Sequence, residues 1–283
     1  MADVVITGGA GFLGARLARE LLAVGSLDVA GSGARPLSRL TLIDLAPLPA
    51  DLAADGRVAG VRGDLGEPAG LTGAARDAVT GADVIFHLAA AVSGECEADF
   101  DLGLRANLQA TEALLALGRA AGTSPVVVFS SSAAVFGDSA DHPLPAVVDD
   151  HTLPNPQTSY GVQKVIGEQL LADYTRKGFV RGRAIRLMTV CVRPGRPNAA
   201  ASGFFSSIIR GRWPGGARSA RSTRGPRWRS PHRRRPSAGC SAPPPPPRRP
   251  GEAAARSTSR RSPSRSQTWS PRWSGRPGRR PAG

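Results

Sequence analysis

Tyr160 and Lys164 stand four residues apart in Thr158-Ser159-Tyr160-Gly161-Val162-Gln163-Lys164. On a helix that spacing puts both side chains on one face. An ammonium close to a phenol favours the phenolate and lowers the Tyr pKa. A poor base then becomes a general acid–base near neutral pH. Such pairs arise by chance in many chains, so the weight lies in what precedes this one. A serine cluster, Ser130-Ser131-Ser132, closes the apolar run Pro125–Phe129. Glycines at 8, 9, 11 and 14 follow the apolar run Val4-Val5-Ile6. A ligand-cradling loop, a polar strand end and a phenol–ammonium pair in that order argue against chance.

The elements that must position these groups can be read around them. Val4-Val5-Ile6 is a buried strand by its β-branched run. Gly8 permits a turn with positive φ, Gly11 lets backbone approach a ligand, and Gly14 lets helix pack on strand. Phe12 and Leu13 open the helix, whose first amides favour a pyrophosphate. A second strand, Leu40–Ile43, ends at Asp44, placed to grip ribose hydroxyls and to repel a 2′-phosphate, which favours NAD over NADP. A solvated turn Asp is the plain alternative. The segment from Gly25 to Arg39 reads as a polar, Gly-rich insert. Val58–Val61 is a third strand. After it Asp64, with Leu65 beside it, either meets the adenine amino group or caps the helix after Pro68. Asp83–Ala90 is a fourth strand ending in the small residues Ala89 and Ala90, which leave room for a cofactor. His87 inside it reads as a packed, hydrogen-bonded residue rather than a catalyst.

Phe100–Ala121 carries apolar residues at helical spacing. Asn107 interrupts it at a cost of roughly a few tenths of a kcal/mol, which implies that it is there for a hydrogen bond. Pro125–Phe129 is a fifth strand. The long loop Asp138–Pro156 is of a length that usually carries function. The helix opening at Thr158 runs to about Lys177.

The net charge of +15 belongs to one part of the chain. Residues 1–211 hold 18 Lys and Arg against 21 Asp and Glu, whereas residues 212–283 hold 19 Arg against Glu252 alone. Cys96, Cys191 and Cys240 show no ligand spacing, so neither a zinc site nor a disulfide framework is indicated, and no metal is expected. There is no signal peptide and no apolar run long enough for a membrane span, which points to a cytoplasmic protein with no membrane partner.

Taken together, TGGAGFLG, the Asp after the second strand, HLAA, SSSAAVFG and YGVQK resemble the extended short-chain dehydrogenase/reductases, or NAD-dependent epimerases/dehydratases, over residues 2–210. The resemblance implies a doubly wound parallel α/β sheet of the Rossmann type. An NAD-binding domain would span 1–180, and 181–211 would begin a small, here incomplete, C-terminal substrate domain. It implies NAD as cofactor, bound by Gly8, Gly11, Phe12, Leu13, Gly14, Asp44, Asp64, Leu65, Ala89, Ala90, Asn107, Tyr160 and Lys164. It makes Ser132, Tyr160 and Lys164 the catalytic trio, Ser132 holding the substrate oxygen. VSGECEADFDLGLRANLQAT and VRPGRPNAAASGFFSSIIR are similar to members that oxidise the C2 hydroxyl of a four-carbon sugar acid to a 2-oxo acid. Arg193, Asn198 and Ser202 would then bind the substrate carboxylate with Ser132, although Arg193 could be a surface loop residue. The implied partners are a small sugar acid and a second copy in a homodimer. Met188 departs from the family, where Pro is expected. A nucleotide-sugar epimerase or dehydratase is the alternative on the same scaffold.

From Gly211 the resemblance stops. Residues 212–283 contain no Leu, Ile, Val, Met, Phe or Tyr, yet hold 14 of the 25 Pro and all four Trp. Such a tail is expected to be disordered. It could hold nucleic acid nonspecifically, with Arg on phosphates and Trp on bases, around a non-catalytic Rossmann protein. It could also be a frameshift in a GC-rich gene. One base upstream, Ser codons of the TCN type become Phe, Leu, Ile or Val codons, and Trp becomes Leu, Met or Val. One permitted reading of residues 217–232 is AVCPVDPGTAVAVASP.

Overall fold

The computed structural model describes residues 1–190 except 30, 32 and 68–70, together with the backbone of Arg227–Trp228. The order is β1 (Ala2–Thr7), α1 (Phe12–Val24), β2 (Ser26–Asp28), β3 (Ala34–Asp44), α2 (Ala50–Ala53), β4 (Val58–Arg62), α3 (Gly73–Thr80), β5 (Val84–His87), α4 (Ser93–Ala98) and α5 (Phe100–Gly103). A π-helical turn, Leu104–Gln109, leads into α6 (Ala110–Ala121). Then come β6 (Val126–Ser132), a 3-10 turn Ala133–Val135, β7 (Val147–Val148), α7 (Ser159–Arg176), β8 (Arg181–Leu187) and β9 (Arg227–Trp228).

Six strands pair in parallel in the order β4-β3-β1-β5-β6-β8. The winding reverses between β1 and β5. That reversal opens a crevice at the carboxyl ends of the strands, the place where open α/β sheets bind ligands. Both faces of a parallel sheet are buried, so its strands are apolar throughout rather than alternating with polar residues. Val5, Ile43, Ile85 and Val127 face Val79 of α3, Leu114 and Leu115 of α6 and Leu171 of α7. Val4, Ile6, Leu40, Leu42 and Val84 face Ala15 and Ala18 of α1 and Leu52 of α2. The fold is the doubly wound Rossmann type that the sequence implies.

Two expectations are corrected. The second strand is longer than Leu40–Ile43: β3 begins at Ala34, and Ser26–Asp28 forms β2 antiparallel to its start, within the segment read as an insert. The helical stretch from Phe100 to Ala121 is not uniformly α but runs as α5, the π turn and α6, with Asn107 inside the π turn. At the other edge β8 pairs with β6 along its whole length, so the parallel sheet runs to Leu187. Of residues 212–283, expected to be disordered, Arg227–Trp228 is described and forms β9, parallel to β7; the rest lies outside the described residues.

Candidate active site

At the β1 end of the crevice the site is made of backbone. Gly8 has φ +71°, and its N–H donates to the Ile43 carbonyl at 2.8 Å, tying the turn to β3. A Cβ on Gly14 would run into the Gly8 carbonyl and lie 2.9 Å from Gly9 Cα. Gly9, whose role the sequence left open, sits so close that a Cβ would meet Leu42 Cβ at 2.7 Å. The N-cap of α1 is Gly11, which has no side chain to cap the helix, and the first turn holds no acidic residue. Its amides are thus left to an anion, and this donor set fits a dinucleotide pyrophosphate. Asp44 closes the turn from the side. Its Oδ2 accepts from Ala10 N at 2.9 Å and its Oδ1 from Ala46 N at 2.9 Å. Phe12 and Leu13 form the half-buried first turn of α1.

Asp64 is exposed, and its Oδ1 accepts from Gly66 N at 2.8 Å. The helix it might have capped begins at Gly73, with Thr72 at the N-cap, so the capping alternative falls. Leu65 beside it is buried in the core.

At the end of β5, Thr7 is a functional residue that the sequence did not flag. Its Oγ1 accepts from Leu88 N and Ala89 N, both at 3.2 Å, and lies 2.8 Å from His87 Nδ1. With both acceptor sites filled, the hydroxyl proton goes to Nδ1. Nε2 then carries the ring proton and donates to Thr111 Oγ1 at 3.0 Å, and Thr111 donates onward to the Asn107 carbonyl at 2.6 Å. His87 is a buried neutral imidazole, its pKa pushed down to about 3 by burial and by the Lys164 charge. It is the packed, hydrogen-bonded residue the sequence suggested. Ala89 and Ala90 are half-buried next to Gly8, where a Cβ would meet Ala89 N at 2.9 Å.

Asn107 is buried, and its amide is engaged with protein groups. Oδ1 accepts from Ala91 N at 2.8 Å, and Nδ2 donates to Gln163 Oε1 at 2.8 Å and to the Ala91 carbonyl at 3.2 Å. It pins the segment after β5 to α7. Cys96, also buried, accepts from the same amide nitrogen, and burial pushes its thiol pKa up.

At the β6 end the site is made of side chains, and the three serines separate. Ser130 donates to the His87 carbonyl at 3.0 Å. Ser131 donates to Glu168. Ser132, half-buried at the strand tip, accepts from Ala134 N at 3.1 Å through Oγ. The 3-10 turn after Ser132 presses on the start of α7, so closely that a Cβ on Gly161 would run into the Ala134 carbonyl. Gly161, next to Tyr160, therefore lets Ser132 and Tyr160 share one corner. Thr158 caps α7, accepting from Gly161 N at 3.0 Å. Lys164, one turn below Tyr160, is 2 % exposed. Its Nζ lies 5.5 Å from the centre of the Tyr160 ring and 4.7 Å from that of Phe129. Burial lowers its pKa to about 8. Beneath this corner Arg186 of β8 grips Glu168 of α7 in a two-pronged ion pair, at 2.7 Å for Nη2 to Oε2 and 2.9 Å for Nε to Oε1. Neither partner of that pair stands out in the sequence.

Arg193, Asn198 and Ser202 lie outside the described residues. Among the described residues no three His, Cys, Asp or Glu group to hold a metal ion, and no helix is long and apolar enough to cross a membrane.

The NAD dependent epimerase/dehydratase family matches residues 4–212. The D-erythronate dehydrogenase of Cupriavidus necator is 57% identical over 209 residues, covering 74% of this chain and 61% of that protein. The crystal structure of a nucleoside-diphosphate-sugar epimerase from Agrobacterium tumefaciens superposes with a TM-score of 0.63 at 46% identity, covering 74% of this chain and 59% of the other. MoeE5 in complex with UDP-glucose and NAD gives a TM-score of 0.57 at 30% identity, covering 74% and 60%. The chain thus spans about three fifths of the length of the relatives it matches.

Proposed function

This chain belongs to the NAD dependent epimerase/dehydratase family, whose cofactor is NAD, and from that premise we propose that its site is built to oxidise the C2 hydroxyl of a small sugar acid, D-erythronate, to the 2-oxo acid. The observation that carries the reading is the corner where Gly161 brings the Ser132 turn against Tyr160 above the buried Lys164. The 57% identity to a D-erythronate dehydrogenase supports the substrate class.

The bound dinucleotide would supply the hydride acceptor. It would be held by the α1 amides and Gly11 at its pyrophosphate and by Asp44 at its ribose, where a carboxylate repels a 2′-phosphate. Gly8, Gly14, Phe12, Leu13, Leu65, Ala89 and Ala90 would shape its bed, Asp64 would face the adenine, and Asn107 would hold the wall at Ala91. Tyr160 as phenolate takes the proton of the substrate hydroxyl, and Ser132 Oγ donates a hydrogen bond to the same oxygen. The Lys164 ammonium stabilises the phenolate, and bringing it close to a negative charge offsets the burial that lowers its own pKa. Arg193, Asn198 and Ser202 would take the carboxylate.

Titration of this chain with NADH and with NADPH, followed by an assay on D-erythronate, tests the reading. NADH is expected to bind and NADPH to bind at least ~10-fold more weakly. Turnover is expected to be low, because the match to the family ends at residue 212. Equal affinity for the two cofactors would remove Asp44 from its role. A second reading is favoured by the 46% identity to a nucleoside-diphosphate-sugar epimerase, and turnover of UDP-glucose in place of D-erythronate would select it. A homodimer, proposed from the resemblance, is checked by sedimentation.

A further inference from the structure

We infer that the residues beyond about 212 are the wrong-frame translation of a coding segment whose frame one base upstream specifies the rest of the enzyme, and that the sheet face over β5, β6 and β8, open among the described residues, is where that other polypeptide packs. The inference does not depend on which substrate is turned over.

The first support is the composition. Residues 212–283 hold 19 Arg, 14 Pro and all four Trp, but no Leu, Ile, Val, Met, Phe or Tyr. A one-base shift in a GC-rich gene produces that bias: it turns Phe, Leu, Ile and Val codons into Ser, turns Leu, Met and Val codons into Trp or Cys, and turns Ala, Pro, Thr and Ser codons ending in CG into Arg. The surplus of Ser, Trp and Arg and the lack of Leu, Ile, Val, Met and Phe are then one fact.

The second support is the pattern. Read one base upstream, Ser237, Cys240 and Ser241 become aliphatic or aromatic, an i, i+3, i+4 triplet of helical spacing. Ser262, Ser264 and Ser266 become apolar in strict alternation, with Pro263 and Arg265 turned into Ser, Pro, Thr or Ala between them. That is a strand pattern. Trp269, Ser270 and Trp273 then return to helical spacing. A basic tail read out of frame has no cause to alternate between the two periods of folded proteins.

The third support is a surface that fits. Phe86 pairs in register with Val128, and Ser130 with Ile185, so these residues lie on the same sheet face as Val4, Ile6 and Val84. Among the described residues that face is covered by α1 and α2, over β1 and β3. Toward β8 it opens: Val126 and Val128 are half-buried, Ile185 is 49% exposed, and Arg181 and Arg183, in register with Val126 and Val128, stand exposed on the same face. The valines and Ile185 call for apolar cover with a polar rim at the two arginines, whereas the residues from 212 on as written contain no Leu, Ile, Val, Met, Phe or Tyr to offer it. The matched region covers 61% of the Cupriavidus necator relative, so that protein has further sequence outside it.

Two measurements test this. The gene is sequenced across codons 205–285 in independent clones. Ser codons of the TCN type and an upstream frame free of stops are expected; a stop in that frame, or mostly AGY serines, overturns the frameshift. The chain is then compared with its one-base-corrected version by amide hydrogen exchange. The amides of Arg181–Leu187 are expected to exchange at least ~10-fold more slowly in the corrected chain, while those of Val4–Thr7 change little. Unchanged exchange at β8, or a corrected chain that does not fold, overturns the docking face. DNA or RNA binding that is sequence-selective and lost on deleting 212–283 would show the tail to be genuine and overturn the whole inference.

Discussion

At the β1/β3 end of the crevice the groups that would meet a ligand are backbone amides, whereas at the β6/α7 end they are side chains. The first end owes its shape to atoms that are missing: no Cβ fits at Gly14 or Gly9. The second owes its properties to charges placed where water is excluded, Lys164 at 2 % exposure and the Glu168–Arg186 pair behind it. A backbone site binds any dinucleotide-like anion and is unresponsive to pH. A side-chain site can move a proton, but it needs a scaffold to hold its buried charges. Binding and chemistry therefore fail separately, and each variant below is chosen to show at which end it acts.

The largest effect is expected at the chemical end. In a chimera that replaces residues from 212 on with the corresponding part of the Cupriavidus necator relative, Tyr160→Phe is expected to lower kcat by about 10³-fold, within the range for a lost general acid–base. NADH affinity should hold. A loss of NADH binding equal to the loss of rate would mean that Tyr160 positions the cofactor and does no proton transfer.

Next comes the binding end. Gly14→Val places a Cβ against the Gly8 carbonyl with no flexible neighbour to yield. A destabilisation of at least about 3 kcal/mol is expected, read as a fall in Tm of roughly 6–12 °C, together with loss of NADH binding. Unchanged Tm would show that α1 can shift away from the turn. Glu168→Gln acts on the other end without touching the crevice. It leaves the Arg186 guanidinium, 28% exposed, without its counter-charge. About 2 kcal/mol is expected in urea unfolding, less than for a fully buried pair because water reaches Arg186. NADH affinity should be unaffected.

The same contrast explains what the sequence made legible. The backbone end is local: a strand, three glycines and a helix lie within the first two dozen residues, and their spacing is the geometry. Asp44 was found because a strand end is a fixed place in this topology. The side-chain end was legible only as the Tyr160–Lys164 spacing and the serine run. Which serine is available was not, because Ser130 and Ser131 are engaged by His87 and Glu168, 43 and 37 residues away. The Glu168–Arg186 pair joins a helix to the strand after it, and neither residue stands out alone. One strand start was not legible: Pro36 and the glycines before it read as an insert, whereas they lie at the turn and edge of the β2–β3 hairpin, where Pro costs no central ladder bond. The hydrogen bond expected of Asn107 is there, and the π turn supplies the widened backbone that lets its amide reach Ala91 and Gln163.

The smallest effect joins the two ends. His87 sits between Thr7 at the binding end and Lys164 at the chemical end, neutral, with a pKa of about 3 against an ordinary 6.5. Below pH 6.5 the unfolded chain takes up a proton that the folded chain refuses, so stability falls as pH falls, until the folded pKa is reached. Between pH 6 and 5 this one residue should remove about 1.2 kcal/mol. Most carboxylates titrate below that interval, which leaves the signal to histidine. The other three histidines, His142, His151 and His232, remain in the variant, so they cancel in the comparison. Urea unfolding of the parent and of His87→Gln at the two pH values measures the difference. The variant is expected to lose stability at both, because Thr7 and Thr111 are left with a poorer partner, but to lose about 1.2 kcal/mol less of the pH dependence. Equal pH dependence in the two proteins would mean that His87 takes up its proton in the fold. Thr7 would then have to turn its hydroxyl proton away from Nδ1 and give up one of its bonds from Leu88 and Ala89. The small-residue wall beside Gly8 would loosen, and the separation between a pH-insensitive binding end and a proton-moving chemical end would no longer hold.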